Sequence, residues 1–274
     1  MTKTGIDYGK FGRNLPAATA VGISLLAILI ASLFVDPALF VLLAAIIIVF
    51  ATRELNNVIV VGLSQRMRLV LQICAPVIVL AAYQGGPELL LDAYVASVLA
   101  VLITRIFDGE EAYVHHVTRS IFILTYAPLL AGFAVLLSGQ ENGAWKVLAF
   151  VLLTAASDLG GYIAGARFGK NPMAPKISPK KTWEGFAGSI ILEIIVGVLI
   201  WTQIFHHAAW EGIFVGLILT IGATVGDLIE SIIKRDLGIK DMSSLLPGHG
   251  GVMDRLDSLV INAFLAWALF GIFL

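Results

Sequence analysis

Apolar residues run along this chain in long, nearly unbroken stretches separated by short polar breaks, unlike the one-sided pattern of elements on a soluble domain. A bilayer hydrocarbon core about 30 Å thick needs roughly 20 such residues in a helix. Nine stretches suit that role, near 15–34, 37–52, 68–83, 88–104, 120–138, 144–165, 187–205, 212–233 and 257–274. Several are short, as expected of helices that tilt or sit partly inside a bundle. The first stretch reads as a span and not a leader, because no small-residue cleavage site follows it and eight more apolar segments do.

Composition agrees with the pattern. Of 274 residues, 58% are hydrophobic and 14% charged, against about 45–50% and 25% in soluble domains. The mean hydropathy is +0.92. A soluble enzyme, a disordered chain and a secreted disulfide scaffold are all excluded. Cys74 is the only cysteine, so neither an internal disulfide nor a cysteine metal cluster can form. A net charge of −1 gives no field that would recruit nucleic acid. With the N-terminus inside, 17 of the 18 basic residues fall in inside segments: Lys3, Lys10 and Arg13 first, then clusters near 53–68, 105–119, 166–186 and 234–256. Lys146 alone falls outside. The positive-inside rule therefore predicts a cytoplasmic N-terminus.

Two inside loops are too rich in Gly, Asp, Lys and hydroxyls to be linkers. One spans 166–186, following Ser157 and Asp158 in the span before it; the other spans 234–256. Asp227, Ser231 and Lys234 share one helix face, as do Asp254 and Asp257. Asp158 and Glu193 lie inside apolar segments. Carboxylates at that depth cost a few kcal/mol unless they meet a cavity, a cation or a partner. One shared inward-facing pocket is expected, with Glu193 at its border; pairing of each acid with a nearby Lys or Arg is the alternative. Gly161, Gly165 and Gly169, Gly212 and Gly216, and Gly222 and Gly226 recur every four residues, which suits close helix packing. The segment Pro247-Gly248-His249-Gly250-Gly251 cannot be helix, and its backbone N–H groups could cradle an anion. His115-His116 and His206-His207 read as loop residues. Oxygen ligands without Cys or convergent His favour Mg²⁺ over zinc. Neighbouring Lys and Arg suit phosphate oxygens. Together these imply phosphoryl or nucleotidyl transfer to a molecule in the bilayer.

These residues carry a resemblance. The stretch from Ser231, Lys234 and Arg235 through Lys240-Asp241 to Pro247, His249, Gly250, Gly251, Asp254, Arg255 and Asp257 resembles the signature of the phosphatidate cytidylyltransferase (CDP-diacylglycerol synthase) family. Ser178-Pro-Lys180-Lys181-Thr182, with Glu184-Gly185, is similar to a second segment of that family. The likeness covers residues 178–258; the one loose stretch is Met242-Ser243-Ser244, where the family often has Gly.

The resemblance implies that CTP and phosphatidate give CDP-diacylglycerol and pyrophosphate with Mg²⁺, in phospholipid biosynthesis. A second monovalent or divalent cation beside it is compatible with the site. Asp227 and Asp254 are the expected metal ligands, with Asp158 or Asp257 assisting. Lys180, Lys181, Lys234, Arg235, Lys240 and Arg255 are expected on phosphates, and Asp241 belongs to the catalytic group. Ser178, Thr182, Ser231, Glu184, Gly250 and Gly251 are expected on substrate. His249 is either a general acid toward pyrophosphate or a turn-fixing residue. Trp183 either stacks on cytosine or sits at the membrane interface.

The expected fold is an all-α polytopic integral membrane protein of about nine transmembrane helices. Residues 1–143 would supply N-terminal membrane helices; 144–274 would build a cytoplasm-facing catalytic pocket. A bacterial plasma membrane is the expected location, CTP, phosphatidate and bilayer lipid the partners, and a homo-oligomer is compatible. A CTP-dependent polyprenol or other lipid kinase needs the same metal and clamps. A transporter would show repeats or interrupted helices in both halves, which the sequence does not display.

Overall fold

The computed structural model describes residues 15–60, 62–245 and 250–274, with side chains from residue 22 onward. Lys3, Lys10, Arg13 and His249 lie outside the described residues. Helices α1 (Leu15–Val35), α2 (Pro37–Ile59) and α3 (Gln65–Ile106) come first. Then follow α4 (Tyr113–Leu124), a π-helical turn (Thr125–Leu129) and α5 (Leu130–Ser138). The second half holds α6 (Gly143–Phe168), β1 (Pro172–Ala174), β2 (Ser178–Thr182), α7 (Trp183–Gln203), α8 (Ala209–Asp236) and α9 (Met253–Phe273). Among the described residues, seven helices are long and apolar enough to cross a membrane. The chain is an all-α polytopic integral membrane protein apart from one antiparallel hairpin, β1–β2, within the loop expected at 166–186.

Local chemistry sets the boundaries. Asp36 is extended and accepts from Ala38 N at 2.8 Å, with Pro37 in the first turn of α2. Ser64 caps α3 through Met67 N at 3.2 Å. A straight 42-residue helix would measure about 63 Å, twice the hydrocarbon thickness. Helix α3 instead breaks at Gly85 and Gly86, where Gly86 has φ 66° and ψ −154°, a conformation reserved for glycine, and Pro87 restarts the helix. The half after the break packs on α4 and α5: the Tyr94 and Thr125 hydroxyls lie 2.7 Å apart, and Tyr113 donates to Leu102 O at 3.0 Å. Pro128 lacks the N–H an α-turn would use, and the chain widens there into the π-turn.

The four C-terminal helices approach at backbone distance. A Cβ on Gly160 would lie 2.5 Å from Gly188 O, and Gly197 and Gly212 face each other at the same spacing. The packing role expected of the four-residue glycine repeats is met by Gly212, by Gly216 against Glu193 O and by Gly226 against Asp257 O. His115 and His116 correct an expectation: they lie in α4, not a loop, and His116 Nδ1 accepts from Arg105 Nε at 3.3 Å. Outward faces carry Leu69, Ile73, Leu99, Ile195 and Leu199, each at least half exposed, where lipid would cover them.

Candidate active site

The C-terminal parts of α6 and α8, the N-terminal part of α7 and the hairpin line a cavity of about 190 Å³. Helix α6 contributes Ser157, Asp158 and Tyr162; α7 contributes Phe186 and Ser189; α8 contributes Thr224 and Asp227; β2 contributes Lys180, Lys181 and Thr182. Glycines make this meeting possible. Gly161 and Gly185 lie where α6 and α7 touch, with Ser189 Oγ donating to Ser157 O at 2.6 Å across the seam. The hairpin carries its lysines to the cavity because Thr182 stops β2 and caps α7, accepting from Gly185 N at 3.1 Å.

In the lining, Lys181 is ion-paired with Asp227. Ser258 of α9 donates to the other Asp227 oxygen at 2.8 Å, and its hydroxyl lies 3.4 Å from Asp257. The Ser258 hydroxyl thus brings Asp227 and Asp257 next to each other, and neighbouring carboxylates favour a proton or a cation between them. Asp158 interacts electrostatically with Asp227, Lys181 and Arg255. Arg255, in the first turn of α9, is thus within electrostatic reach of this group.

A second network lies next to the first. Lys234 bridges two carboxylates, ion-paired with Glu230 one turn back and 2.9 Å from Asp254. The second oxygen of Asp254 accepts from Gly251 N at 2.7 Å and Met242 N at 2.9 Å. Glu54 of α2 accepts from Ser243 Oγ at 2.6 Å, Val252 N at 2.9 Å and Met253 N at 2.8 Å. The loop between α8 and α9 is thus held by two carboxylates of the chain itself. The Gly251 N–H, expected to cradle a substrate anion, donates to Asp254 instead.

The expected site residues therefore divide. Asp158, Asp227, Lys180, Lys181 and Thr182 line the cavity, Asp257 adjoins Asp227 through Ser258, and Arg255 is not among the lining residues. Asp254 and Lys234 belong to the adjoining network, and the four expected metal ligands do not form one cluster. Among the described residues, no three His, Cys, Asp or Glu side chains converge as a ready metal cage. The donor chemistry is compatible with a hard divalent cation, since the carboxylates here, Asp158, Asp227 and Asp257, offer oxygen atoms only.

Other expected substrate contacts are engaged within the protein. Glu184 accepts from Lys170 N and Asn171 N at 3.2 Å and from Asn171 Nδ2 at 2.6 Å, closing the base of the hairpin. Arg235 donates to Ile177 O at 3.3 Å, tying α8 to the hairpin. Ser178 pairs with Ala174 in the sheet. Ser231 is half-buried on α8; Gly250 takes φ +83° beside Asp254; Lys240 and Asp241 are exposed in the loop. Trp183 is exposed at the start of α7.

Sequence reasoning did not single out Glu230, Glu54 or Thr224. Glu230 had a signal, since it stands one turn from both Asp227 and Lys234 on an otherwise apolar helix. Glu54 had none, because its partners lie about 190 residues away. Glu193 is fully buried at the α7–α8 seam, accepts from Thr220 Oγ1 at 2.6 Å, and neighbours Ser157 and Asp158. It is not itself among the residues that line the cavity, although its neighbours Ser157 and Asp158 are.

Residues 16–273 match the sequence profile of the cytidylyltransferase family. The chain is 37% identical to the phosphatidate cytidylyltransferase of Mycobacterium leprae, covering 95% of this chain and 88% of that protein. The Mycobacterium bovis protein of the same name is also 37% identical, over 95% of this chain and 90% of its own. The Haemophilus influenzae phosphatidate cytidylyltransferase is 41% identical over 43% of each chain.

Proposed function

The chain belongs to the cytidylyltransferase family, and we propose that it is a phosphatidate cytidylyltransferase whose inner cavity joins CTP to phosphatidate. An oxygen of the phosphatidate phosphate attacks the α-phosphorus of CTP. The bond from that phosphorus to the β-phosphate bridging oxygen breaks, and CDP-diacylglycerol and pyrophosphate result. The attacking group is already an anion, so no strong base is needed; the barrier is the approach of two polyanions and the charge on the leaving group.

One observation carries this reading: Lys181 and Asp227 meet in the lining of a cavity to which Asp158 also contributes. Cation and carboxylates in one cavity suit a nucleotide that arrives with its metal. Mg²⁺ would be held by Asp227 and Asp257, with Asp158 beside them, and would neutralise triphosphate charge when bound. Lys181 would transfer its ammonium from Asp227 to a phosphate oxygen as substrate enters, with Lys180 and Arg255 as further clamps. The acyl chains of phosphatidate would stay in the bilayer beside α6 and α7, whose outer faces are apolar.

The topology that goes with this has nine spans, counting the halves of α3 separately and α4 through α5 as one. It puts the N-terminus, the hairpin and the α8–α9 loop in the cytoplasm, where CTP is. The basic residues support that orientation, with Lys146 as the one exception.

The purified protein, given phosphatidate and CTP labelled separately on cytosine and on the γ-phosphate, tests the reaction. Cytosine label enters the lipid and γ-label leaves as pyrophosphate. Entry of γ-label into lipid would instead identify a kinase.

A further inference from the structure

We propose that Glu54, on α2 in the N-terminal half, is a positioning residue for the transfer reaction: its carboxylate caps α9 and so places Asp254 and Arg255. The first turn of any helix leaves backbone N–H groups without intrahelical partners. The residue at the cap of α9 is Val252, whose apolar side chain forms no cap hydrogen bond. Glu54 supplies what is missing, taking Val252 N on one oxygen and Met253 N on the other. The same carboxylate takes the Ser243 hydroxyl, so it holds both ends of the segment that precedes α9. A negative charge is also favoured at that helix end by the helix dipole.

The neighbouring backbone is shaped around this contact. A Cβ on Gly251 would lie 2.6 Å from Glu54 Oε2, so only glycine lets the carboxylate approach. Glu54 is 5% exposed, so water does not compete for these N–H groups. Of the next residues, Asp254 carries the bridge to Lys234 and Arg255 a charge within electrostatic reach of Asp158. Any rotation of the α9 start would move both. The N-terminal half is therefore a working part of the site and not an anchor alone.

Glutamine at this position can accept from one backbone N–H but turns an NH₂ toward the other, whereas aspartate keeps two acceptors on a shorter arm. In the full-length protein in detergent, Glu54→Gln should raise amide exchange in the 250–256 segment and lower kcat about tenfold or more, with the KM for CTP changing less. Glu54→Asp should recover part of kcat. The melting temperature should fall modestly, because one buried N–H loses its acceptor, while exchange elsewhere should stay near wild type. Unchanged local exchange and kcat in Glu54→Gln would overturn the proposal, and so would a collapse of protection throughout the bundle. If Glu54→Gln does not fold, Gly251→Ala keeps the charge but pushes the carboxylate off the same N–H groups; full kcat in that variant overturns the proposal equally. The kcat arm rests on the cytidylyl transfer proposed above. The exchange arm does not, so a wild type that fails to transfer cytosine label would refute the reaction while the cap is still read from exchange.

Discussion

Lys181 and Asp227, 46 residues apart in the chain, form an ion pair in the lining of the cavity between α6, α7, α8 and the hairpin. The pair joins the hairpin to α8, and on the proposed reaction each partner would take a second task, Lys181 on a phosphate and Asp227 on the metal. An ion pair that must be exchanged for substrate contacts is a means of holding both groups in place beforehand.

Lys181→Met should therefore lower kcat/KM for CTP about 100-fold, equivalent to roughly 2.7 kcal/mol of transition-state stabilisation. Steady-state incorporation of cytosine-labelled CTP into lipid measures this. A loss below about threefold, under 1 kcal/mol, contradicts a clamp role for Lys181.

Asp254→Asn should cost both turnover and stability. From sequence, Asp227 and Asp254 look equivalent as metal ligands. In the structure Asp254 accepts from Lys234, Gly251 N and Met242 N. An asparagine amide turned toward those N–H groups leaves donors unpaired at about 1–3 kcal/mol. Thermal melting in detergent should show a clear decrease for Asp254→Asn.

Gly226→Ala should separate α8 from α9. A Cβ there would lie 2.5 Å from Asp257 O, and overpacking of this kind costs about 1–3 kcal/mol. Because Asp227 and Asp257 follow on the two displaced helices, activity should fall with stability. A variant with wild-type activity and melting would show that this approach does not set the carboxylate pair.

Activity should vanish with EDTA and return with Mg²⁺, since the cavity offers carboxylate oxygens and neither thiolate nor imidazole among its described lining residues. It should resist thiol reagents, because half-buried Cys74 lies on α3 and is not among the cavity residues. Thiol inhibition relieved by Cys74→Ala would contradict that placement.

Much of the C-terminal half was legible because membrane helices and their acids obey simple rules. Uninterrupted apolar runs located α6 to α9, and helical spacing put Asp227 and Lys234 on one face of α8 and Asp254 and Asp257 on one face of α9. The hairpin was not legible, since Pro172–Ala174 and Ser178–Thr182 have neither alternation nor β-branched runs; its pairing is held by Glu184 and by the α7 cap at Thr182. The break in α3 was visible only as a short gap between two apolar runs, although Gly85-Gly86-Pro87 is its physical cause. Glu54 could not be read at all. A lone acid at the end of an apolar run is indistinguishable from a solvated one until the partner backbone, about 200 residues later, is placed against it.

Turnover of Asp227→Asn in purified, folded protein tests the central claim most directly. The change is nearly isosteric and removes the charge that pairs with Lys181 and that would hold the metal beside Asp257. The account predicts cytosine-label incorporation below about a hundredth of wild type, a barrier increase of at least roughly 2.7 kcal/mol, with folding retained. A variant that keeps more than about a tenth of the wild-type rate, worth only 1.4 kcal/mol, would contradict the assignment of this cavity as the place where transfer occurs.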